Sequence, residues 1–267
     1  MNATFEQEAV KAVCSVNGLV CFWDFQEPAG ENRIAKGACS YALREGGEPV
    51  PRAEEGIFGP YSADFQGKQW FEMSPDECPA LNFSGKDVEL TVMAWIKWRS
   101  SETTGCQAVA GIWNETMKKR QYCLFLDLRI WDSKHQVCGH VSAEGGPTPG
   151  FRYCMTSAIG STRVDDAWHL ATFTYDGEHA KVYLDDQLDQ RDQYNPFYYP
   201  DGLYDGGSER ADFTVGAVDR SNEIGNFYNG LLGGLAVFNR ALTAAEIARL
   251  HEKTLSSRRA AGDQTVR

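Results

Sequence analysis

The segment 193–207 concentrates aromatic rings beside amide and carboxyl groups. Its candidate residues are Tyr194, Asn195, Phe197, Tyr198, Tyr199, Asp201 and Tyr204, followed by Asp205. A saccharide presents C–H patches on its ring faces and hydroxyls around its rim, so a pocket for it combines an aromatic surface with planar polar groups. This pattern predicts a binding loop. The open alternative is that the same rings form a small local core at a sheet edge.

A second loop offers polar groups for the same ligand. Residues 146–153 are rich in glycine and proline and end in Arg152 and Tyr153, which we expect at the same rim. His140 lies on the strand-like run that leads into this loop. Long loops inside compact domains tend to be functional. His140 is therefore a candidate contact, with a buried structural role as its alternative.

Glycoside hydrolysis would need two carboxylates a few ångströms apart across a groove. Alternate residues of a strand share a face, so an E-x-D-x-x-E spacing would bring such carboxylates together. The sequence lacks this spacing, and the carboxylates nearest to predicted strand ends are Glu115 and Asp127. Solvated charges at a sheet edge explain both. The sequence therefore predicts no catalytic residues, although an enzyme remains the second hypothesis.

Eight cysteines occur without a C-x-x-C pair, so neither a zinc ribbon nor a thioredoxin-type redox pair is indicated. They are Cys14, Cys21, Cys39, Cys78, Cys106, Cys123, Cys138 and Cys154. We expect reduced thiols that pack as small hydrophobic groups. The first 15 residues lack the basic head and apolar core of a secretory signal. The sequence as written thus predicts a cytoplasmic protein, or an exported one if a leader was removed.

Composition excludes several functional classes. The 267 residues are 42% hydrophobic and 24% charged, which is typical of a folded globular chain. The net charge of −11 repels phosphate backbones, so nucleic acid is not an expected partner. No apolar run approaches the roughly 18 to 20 residues of a membrane span. The oligomeric state is not indicated.

Short runs rich in aromatic and β-branched residues, separated by Gly, Pro, Asn and Asp, predict an all-β fold. A hairpin is expected from 168–175 and 180–184 around the Asp176-Gly177 turn. Thr243 and Glu246 form a capping-box signature for a C-terminal helix. We predict one antiparallel two-sheet β-sandwich over residues 18–254, a short helix or extension over 1–17, and a flexible tail over 255–267.

Five stretches in order resemble the concanavalin A-like jelly roll, in its laminin-G-like or pentraxin-like branch. The stretches are 18–25, 62–67, 90–97, 166–185 and 225–246. The resemblance implies binding of a carbohydrate or another protein through loops at one rim or across the concave sheet. It also implies calcium in some members, and many members are domains of larger enzymes.

Two positions depart from the family pattern. Leu232-Gly233-Gly234 stands where an Ile-Asp-Glu is common, and of the usual acidic pair after Phe25 only Glu27 is in register. A calcium site would have to use Asp24, Glu27, Asp64 and backbone carbonyls, fewer oxygens than the six to eight that Ca²⁺ prefers. We therefore expect no cofactor, with Ca²⁺ as a weak possibility.

The leading prediction is lectin-like binding of a glycan or glycoconjugate without catalysis. A jelly-roll glycoside hydrolase is the second hypothesis, and a protein-interaction module is the third. Two structural expectations accompany the first. Trp95 is expected between the two sheets, and Tyr198 and Tyr199 are expected to be exposed at the tip of their loop.

Overall fold

Short strands and tight turns make up most of the chain. The computed structural model describes residues 3–100 and 105–256, with helix α1 at Ala3–Cys14 and helix α2 at Ala244–His251. In chain order the strands are β1 Leu19–Trp23, β2 Arg33–Ile34, β3 Ala42–Gly47, β4 Arg52–Ala53, β5 Ser62–Gln66, β6 Gln69–Met73, β7 Leu90–Trp98, β8 Gln107–Asn114, β9 Lys119–Leu126, β10 Val137–Val141, β11 Ser157–Ile159, β12 Trp168–Tyr175, β13 His179–Leu184, β14 Gln187–Leu188, β15 Phe197–Tyr198, β16 Phe213–Val215, β17 Val218–Arg220, β18 Glu223–Gly225 and β19 Asn229–Phe238.

These strands form two sheets that pack face to face, as predicted. The first sheet has nine strands in the order β14-β13-β12-β7-β19-β5-β4, with β1 also paired to β19 and β15 to β13. The second has ten, in the order β11-β10-β9-β8-β16-β6-β3-β2, with β17 also paired to β8 and β18 paired to β17. The described pairings are antiparallel except for one parallel bridge between Asp219 and Asn114. The predicted antiparallel β-sandwich is confirmed.

The main hydrophobic core lies between the sheets. In β7, Ala94, Ile96 and Trp98 face this core, and each is fully buried. The indole N–H of Trp98 donates to Oε1 of Gln107 at 2.9 Å, so the buried polar atom of the ring has a partner. Burying a large apolar side chain contributes roughly 1.5–3 kcal/mol, which makes this layer the principal source of stability.

The outer face of the nine-stranded sheet is covered by α1 and α2. Ala9 of α1 and Ile247 of α2 belong to a second buried cluster on that face. Trp95 is in this cluster, where its indole N–H donates to Thr254 Oγ1 at 2.8 Å. The expectation that Trp95 lies between the sheets is therefore wrong. Both faces of β7 are buried, so its nearly continuous apolar sequence lacks the polar alternation that would identify a face.

The hairpin and the C-terminal helix follow their sequence signals. Phe173 pairs with Val182 in the β12–β13 hairpin, and the Asp176 carboxylate accepts hydrogen bonds from the turn amides of Glu178 and His179. Helix α2 begins after Thr243, and both hydrogen bonds of the predicted capping box are present. The predicted N-terminal helix is α1.

The ordered chain continues past the predicted domain end. Residues 252–256 form a single π-helical turn in which Leu255 is buried against the helix-side cluster. The predicted flexible tail therefore does not begin at residue 255. Residues 257–267 lie outside the described residues. In the part of the chain that the structure describes, no helix has the length and apolarity needed to cross a membrane.

Side-chain packing explains the glycine pair in β19. A Cβ on Gly233 would lie 2.8 Å from the Ile57 side chain and 3.0 Å from the Trp168 ring, and one on Gly234 would lie 2.5 Å from the Phe58 ring. A separation below about 3 Å is shorter than real Cβ contacts, so an acidic pair would displace the Ile57 and Phe58 side chains. Close packing thus explains why Gly233 and Gly234 stand where the family pattern has an acidic pair.

The outer face of the ten-stranded sheet is covered by loops instead of helices. A third buried cluster there includes Trp113, Cys123, Phe125 and Cys138. All eight cysteines, which lie within the described residues, are free thiols, as the sequence predicts. Burial raises the pKa of the Cys138 thiol to about 12 and so keeps it protonated. Loops therefore form the surface on this side of the sandwich.

Candidate functional site

The two loops selected from the sequence meet at one cavity, which we call the loop cavity. It encloses about 250 Å³, ample for the contact portion of a small polar ligand. Its lining residues are Ser142, Glu144, Gly146, Pro147, Thr148, Pro149, Thr156, Tyr199 and Asp201. The 193–207 segment contributes Tyr199 and Asp201, and the remaining residues belong to the segment that follows β10. The two loops therefore meet, but the expected rim residues Arg152 and Tyr153 do not line the cavity.

Direct hydrogen bonds join the loops. The amide of Tyr204 donates to the carbonyl of Ser142 at 2.7 Å, and the amide of Ala143 donates to the Tyr199 hydroxyl at 2.8 Å. Gly145 has φ +71°, and a Cβ there would lie 2.3 Å from the Lys118 carbonyl oxygen. Only glycine fits this position without displacing the backbone. The cavity wall is thus built by specific contacts.

Three lining hydroxyls are fixed as hydrogen-bond acceptors. Ser142 Oγ accepts from Gly145 N at 3.0 Å, and Thr148 Oγ1 accepts from Met155 N at 2.7 Å. The Tyr199 hydroxyl accepts from Ala143 N, and burial raises its pKa to about 12. All three hydroxyls therefore keep their protons at neutral pH. Because each oxygen already accepts a bond, its O–H remains available to donate.

Glu144 and Asp201 add two carboxylates to the same cavity. Both side chains are exposed, and neither accepts a hydrogen bond from the described residues. Each carboxylate oxygen can therefore accept hydrogen bonds from a ligand. Together with the hydroxyls, they give the loop cavity both donors and acceptors, which is the requirement for holding a polyhydroxylated ring.

Tyr194, Asn195 and Phe197 are not brought to the cavity. The Tyr194 ring stacks on Trp131 with centroids 5.0 Å apart, and Phe197 packs against the main core. Asn195 is buried, and its amide donates to the carbonyls of Val182 and Asp189 at 2.8 and 2.7 Å. For these three residues the local-core alternative is correct. The rings of Tyr194 and Phe197 pack against other side chains of the protein, and the Asn195 amide is hydrogen-bonded to backbone carbonyls.

His140 is also a structural residue. It is buried between Trp113 and Phe125, with ring centroids 5.0 and 5.2 Å away. Its Nδ1 lies 3.1 Å from the Thr156 carbonyl oxygen. Burial lowers the pKa of His140 to about 4, so the ring is neutral at physiological pH. It supports the strand beneath the loop cavity and does not line it.

The remaining predicted residues differ in their exposure and contacts. Tyr153 and Tyr198 are 54% and 60% exposed, whereas Tyr199 is half-buried, so the expected exposure of both Tyr198 and Tyr199 holds only for the first. The Arg152 guanidinium lies 5.3 Å from the Tyr153 ring centroid, in a cation–π arrangement on the second loop. Tyr204 is half-buried and packs beside Gly145. Of these residues, only Tyr199 lines the loop cavity.

Sequence reasoning missed Ser142, Glu144, Thr148 and Thr156. Each is an ordinary surface residue type, and none forms a recognisable motif. The turn-rich stretch 144–150 was the available signal, since it is longer than needed to connect strands. The turn-rich stretch indicated where the loop lies, but it did not indicate which of its side chains face the 193–207 segment.

A second cavity, which we call the sheet cavity, lies on the ten-stranded sheet beside β6, β8 and β16. It encloses about 220 Å³ and contains the carboxylates of Glu72, Asp212 and Asp219. Burial and the neighbouring Glu72 raise the pKa of Asp212. Carboxylates with dissimilar environments are the arrangement that hydrolases use for an acid and its partner. The sheet cavity is therefore the place where the second hypothesis can be tested.

The carboxylates suggested by the sequence do not converge in a groove. Asp127 is buried, pairs with Arg129 at 2.8 Å and accepts from the amide of His135. Glu115 accepts from the Trp113 indole N–H at 3.2 Å. Both carboxylates are used in local structure, Asp127 in a buried ion pair, so the solvated-edge explanation does not describe Asp127.

The residues considered for calcium are each engaged elsewhere. Asp24 pairs with Lys36 at 2.7 Å, and Asp64 pairs with Arg99 at 2.7 Å. Glu27 Oε1 accepts from the amide of Ile34 at 2.9 Å. Within residues 3–100 and 105–256, no three His, Cys, Asp or Glu side chains are placed to hold a metal ion.

Comparison with known proteins places the sequence among jelly-roll domains. The family model described as the concanavalin A-like lectin/glucanases superfamily matches residues 76–248, well over half of the chain. Curated proteins gave no significant sequence match.

Several solved structures share the architecture. Domain 4 of the GH43 extracellular arabinanase AbnA from Geobacillus stearothermophilus, in complex with arabinotriose, has a TM-score of 0.56 and 15% identity, covering 87% of this chain and 98% of that one. The ligand-binding domain of botulinum neurotoxin serotype D, in complex with N-acetylneuraminic acid, has a TM-score of 0.56 and 13% identity, covering 90% of this chain and 52% of that one.

An enzyme structure also matches. Trypanosoma rangeli sialidase in complex with 2,3-difluorosialic acid has a TM-score of 0.56 and 14% identity, covering 93% of this chain and 37% of the sialidase. This chain thus spans about half of the toxin chain and just over a third of the sialidase chain. At such low identities these likenesses establish the shared fold.

Proposed function

Because the chain belongs to the concanavalin A-like lectin/glucanase superfamily, we propose that it is a lectin-like protein that binds a glycan in the loop cavity. The observation that carries this proposal is the meeting of Tyr199 and Asp201 with Glu144 and Thr148 around one cavity. A polyhydroxylated ring needs an apolar surface, donors and acceptors at short range. The loop cavity supplies all three.

The structural neighbours support this choice of ligand class. The arabinanase domain was solved with arabinotriose, and the toxin domain with N-acetylneuraminic acid. Both ligands are saccharides, and this chain matches 98% of the arabinanase domain and 52% of the toxin chain. Fold and function are separable, so the proposal rests on the cavity and takes only its ligand class from this comparison.

A glycan array tests the proposal when wild type is compared with a variant whose cavity is filled. Gly146 lines the loop cavity, and its Cβ position has only Lys118 Cδ within 4 Å, at 3.9 Å. Gly146→Trp is therefore expected to fold and to lose binding by occupying the space. Gly105→Trp is the matched control, since Gly105 is exposed, lies outside the cavity and has nothing within 4 Å of its Cβ position.

Two outcomes of this comparison would contradict the proposal. One is a wild type that binds no glycan on the array. The other is a Gly146→Trp variant that is folded by circular dichroism and binds as strongly as Gly105→Trp. The exposed ring of Tyr198 provides a further comparison. If Tyr198→Ala alone abolishes binding, the ligand lies on the outer edge of β15 instead of in the loop cavity.

The sheet cavity supports a second candidate function, glycoside hydrolysis. Glu72 and Asp212 line it together, and the raised pKa of Asp212 suits a proton donor. Asp212→Asn and Glu72→Gln are expected to abolish release of reducing sugar from any polysaccharide that wild type degrades. An enzyme whose hydrolysis survives both substitutions would not be acting through this cavity.

A further inference from the structure

The charge of the loop cavity has a consequence for the kind of glycan it accepts. Its lining includes two carboxylates, Glu144 and Asp201, and among the described residues that line it there is no Lys, Arg or His. An isolated anion placed beside uncompensated carboxylates is repelled, and the repulsion grows as the ligand loses water. The net charge of −11 acts in the same direction at longer range.

Several cationic residues lie close to the loop cavity without lining it, among them the exposed Lys86, whose Cα is 2.7 Å from the Gly202 Cβ position. Arg120 is buried, with its guanidinium 3.8 Å from Glu115 and 3.5 Å from the Gly145 carbonyl oxygen. Arg152 lies over the Tyr153 ring on the second loop. Lys118 is exposed behind the 145–146 turn, where its Cδ is 3.9 Å from the Gly146 Cβ position. None of these four residues lines the loop cavity.

The uncharged groups suit the hydroxyls of a sugar. The O–H groups of Ser142, Thr148 and Tyr199 can donate, because their oxygens already accept backbone N–H bonds. The two carboxylates accept but cannot donate while ionised. A ligand must therefore bring hydroxyl or ammonium donors to Glu144 and Asp201. A sugar carboxylate or sulfate brings only acceptors.

We propose that the loop cavity selects neutral saccharides and saccharides with a free amine, and rejects those with sialic acid, uronic acid or sulfate groups. This inference rests on the proposed glycan-binding function and specifies its ligand class. It sets this chain apart from the toxin domain that was solved with N-acetylneuraminic acid. An ammonium group gains a charge-assisted hydrogen bond at each carboxylate, which is about twice as strong as a neutral one.

The test uses an array of matched glycans that differ only in one substituent: free amine, N-acetyl, added sialic acid or added sulfate. Wild type is expected to bind the amine form most tightly and the sialylated and sulfated forms least. Each carboxylate is expected to contribute about fivefold to the preference for amine over N-acetyl at low salt. Raising the salt concentration to 1 M is expected to reduce this preference, because salt screens exposed charges.

Two variants assign the cause. The double variant Glu144→Gln with Asp201→Asn is expected to retain neutral glycans and to lose the discrimination against acidic ones. Glu209→Gln is the control, since this exposed carboxylate lies on the same connection but does not line the cavity. Its glycan preference is expected to equal that of wild type.

The possible outcomes distinguish a failure of the ligand-class inference from a failure of the proposed glycan-binding function. Sialylated or sulfated glycans that bind wild type as tightly as their neutral parents would overturn the inference and leave glycan binding intact. A preference that persists in the double variant would also overturn it. A wild type that binds no glycan of any class contradicts the proposed function, and the ligand-class inference then fails with it.

Discussion

The role of an individual side chain in this β-sandwich depends on the residues that surround it in the fold. Trp95 and Trp98 are three residues apart in one strand and therefore lie on opposite faces, so Trp98 faces the core between the sheets and Trp95 does not. Tyr198 and Tyr199 are adjacent, but one is exposed and the other binds the second loop. The residue types at these positions predicted burial or ligand contact. The register of the strand decides which face of the sheet each side chain occupies, and residue type alone does not show this.

Trp95 provides a stability prediction at this scale. Trp95→Ala is expected to lower the free energy of unfolding by about 3–5 kcal/mol, through lost burial and the cavity that remains. Trp95→Phe retains most of the ring but removes the hydrogen bond to Thr254, which costs about 1 kcal/mol. Urea unfolding of both variants measures these differences. Equal losses for the two substitutions would contradict the packing described here.

His169 gives a pH dependence with a defined sign. Burial alone would lower its pKa, but hydrogen bonds to Asp185 at 3.0 Å and Asp165 at 2.9 Å outweigh burial and raise it. His251 also faces Asp185, at 3.5 Å. A raised folded-state pKa means that the stabilisation is fully present below the unfolded pKa, near 6.5, and is lost as pH rises through the folded value.

We therefore expect the free energy of unfolding to fall as the pH rises above about 6.5. His169→Asn is expected to flatten that decline, because the group that binds the extra proton is gone. His179→Asn is a control, since His179 is the first residue of β13, at the other end of the hairpin. A His169→Asn profile parallel to that of wild type would show that this histidine is not the source.

Among the secondary-structure elements, the sequence correctly predicted those whose formation depends on one short stretch of residues. The hairpin needed only its alternating strands and the residues of its turn, and α2 needed only Thr243 and Glu246. The strands β2, β4, β14 and β15 have two residues each and were not predicted, because their pairing depends on distant partners. The face of β7 was missed because helices from both ends of the chain bury its outer side.

The cap of α2 carries the prediction at this scale. Thr243 Oγ1 accepts from the amide of Glu246, whose carboxylate pairs with Arg240. Thr243→Ala is expected to cost about 1 kcal/mol, and Thr243→Ser much less, because serine retains the capping oxygen. Thermal melts of the two variants compare the costs. A Thr243→Ser variant as unstable as Thr243→Ala would exclude the cap as the cause.

In the candidate site, too, the features that depend on nearby residues were predicted, and those that depend on distant residues were not. The sequence identified both loops that form the loop cavity, because aromatic and turn-forming residues are clustered in each. It did not identify Glu144 or Thr148, whose role depends on where the partner loop lies. It also assigned Asn195 to the ligand, whereas backbone groups of Val182 and Asp189 occupy that amide.

For the molecule as a whole, the helices close one sheet face and leave the other to the loops. The sheet cavity lies on the ten-stranded sheet, and the loop cavity lies where the segment after β10 of that sheet meets the segment after β15 of the nine-stranded sheet. Asp24 and Asp64 form ion pairs with Lys36 and Arg99.

Millimolar calcium is therefore expected to leave the melting temperature unchanged, because a cation would have to displace those pairs. A ligand that binds only the native state must raise the melting temperature. A rise of several degrees, abolished by a chelator, would show that these carboxylates rearrange around the ion.

The location of the glycan is the central claim, and chemical-shift mapping tests it directly. A glycan that binds wild type on the array is titrated into ¹⁵N-labelled protein, and the amide signals are followed by NMR. We expect the largest shifts in residues 142–150 and 199–204, with little change around Glu72, Trp113 and Asp212. Shifts confined to the sheet cavity, with the loop residues unaffected, would contradict the account.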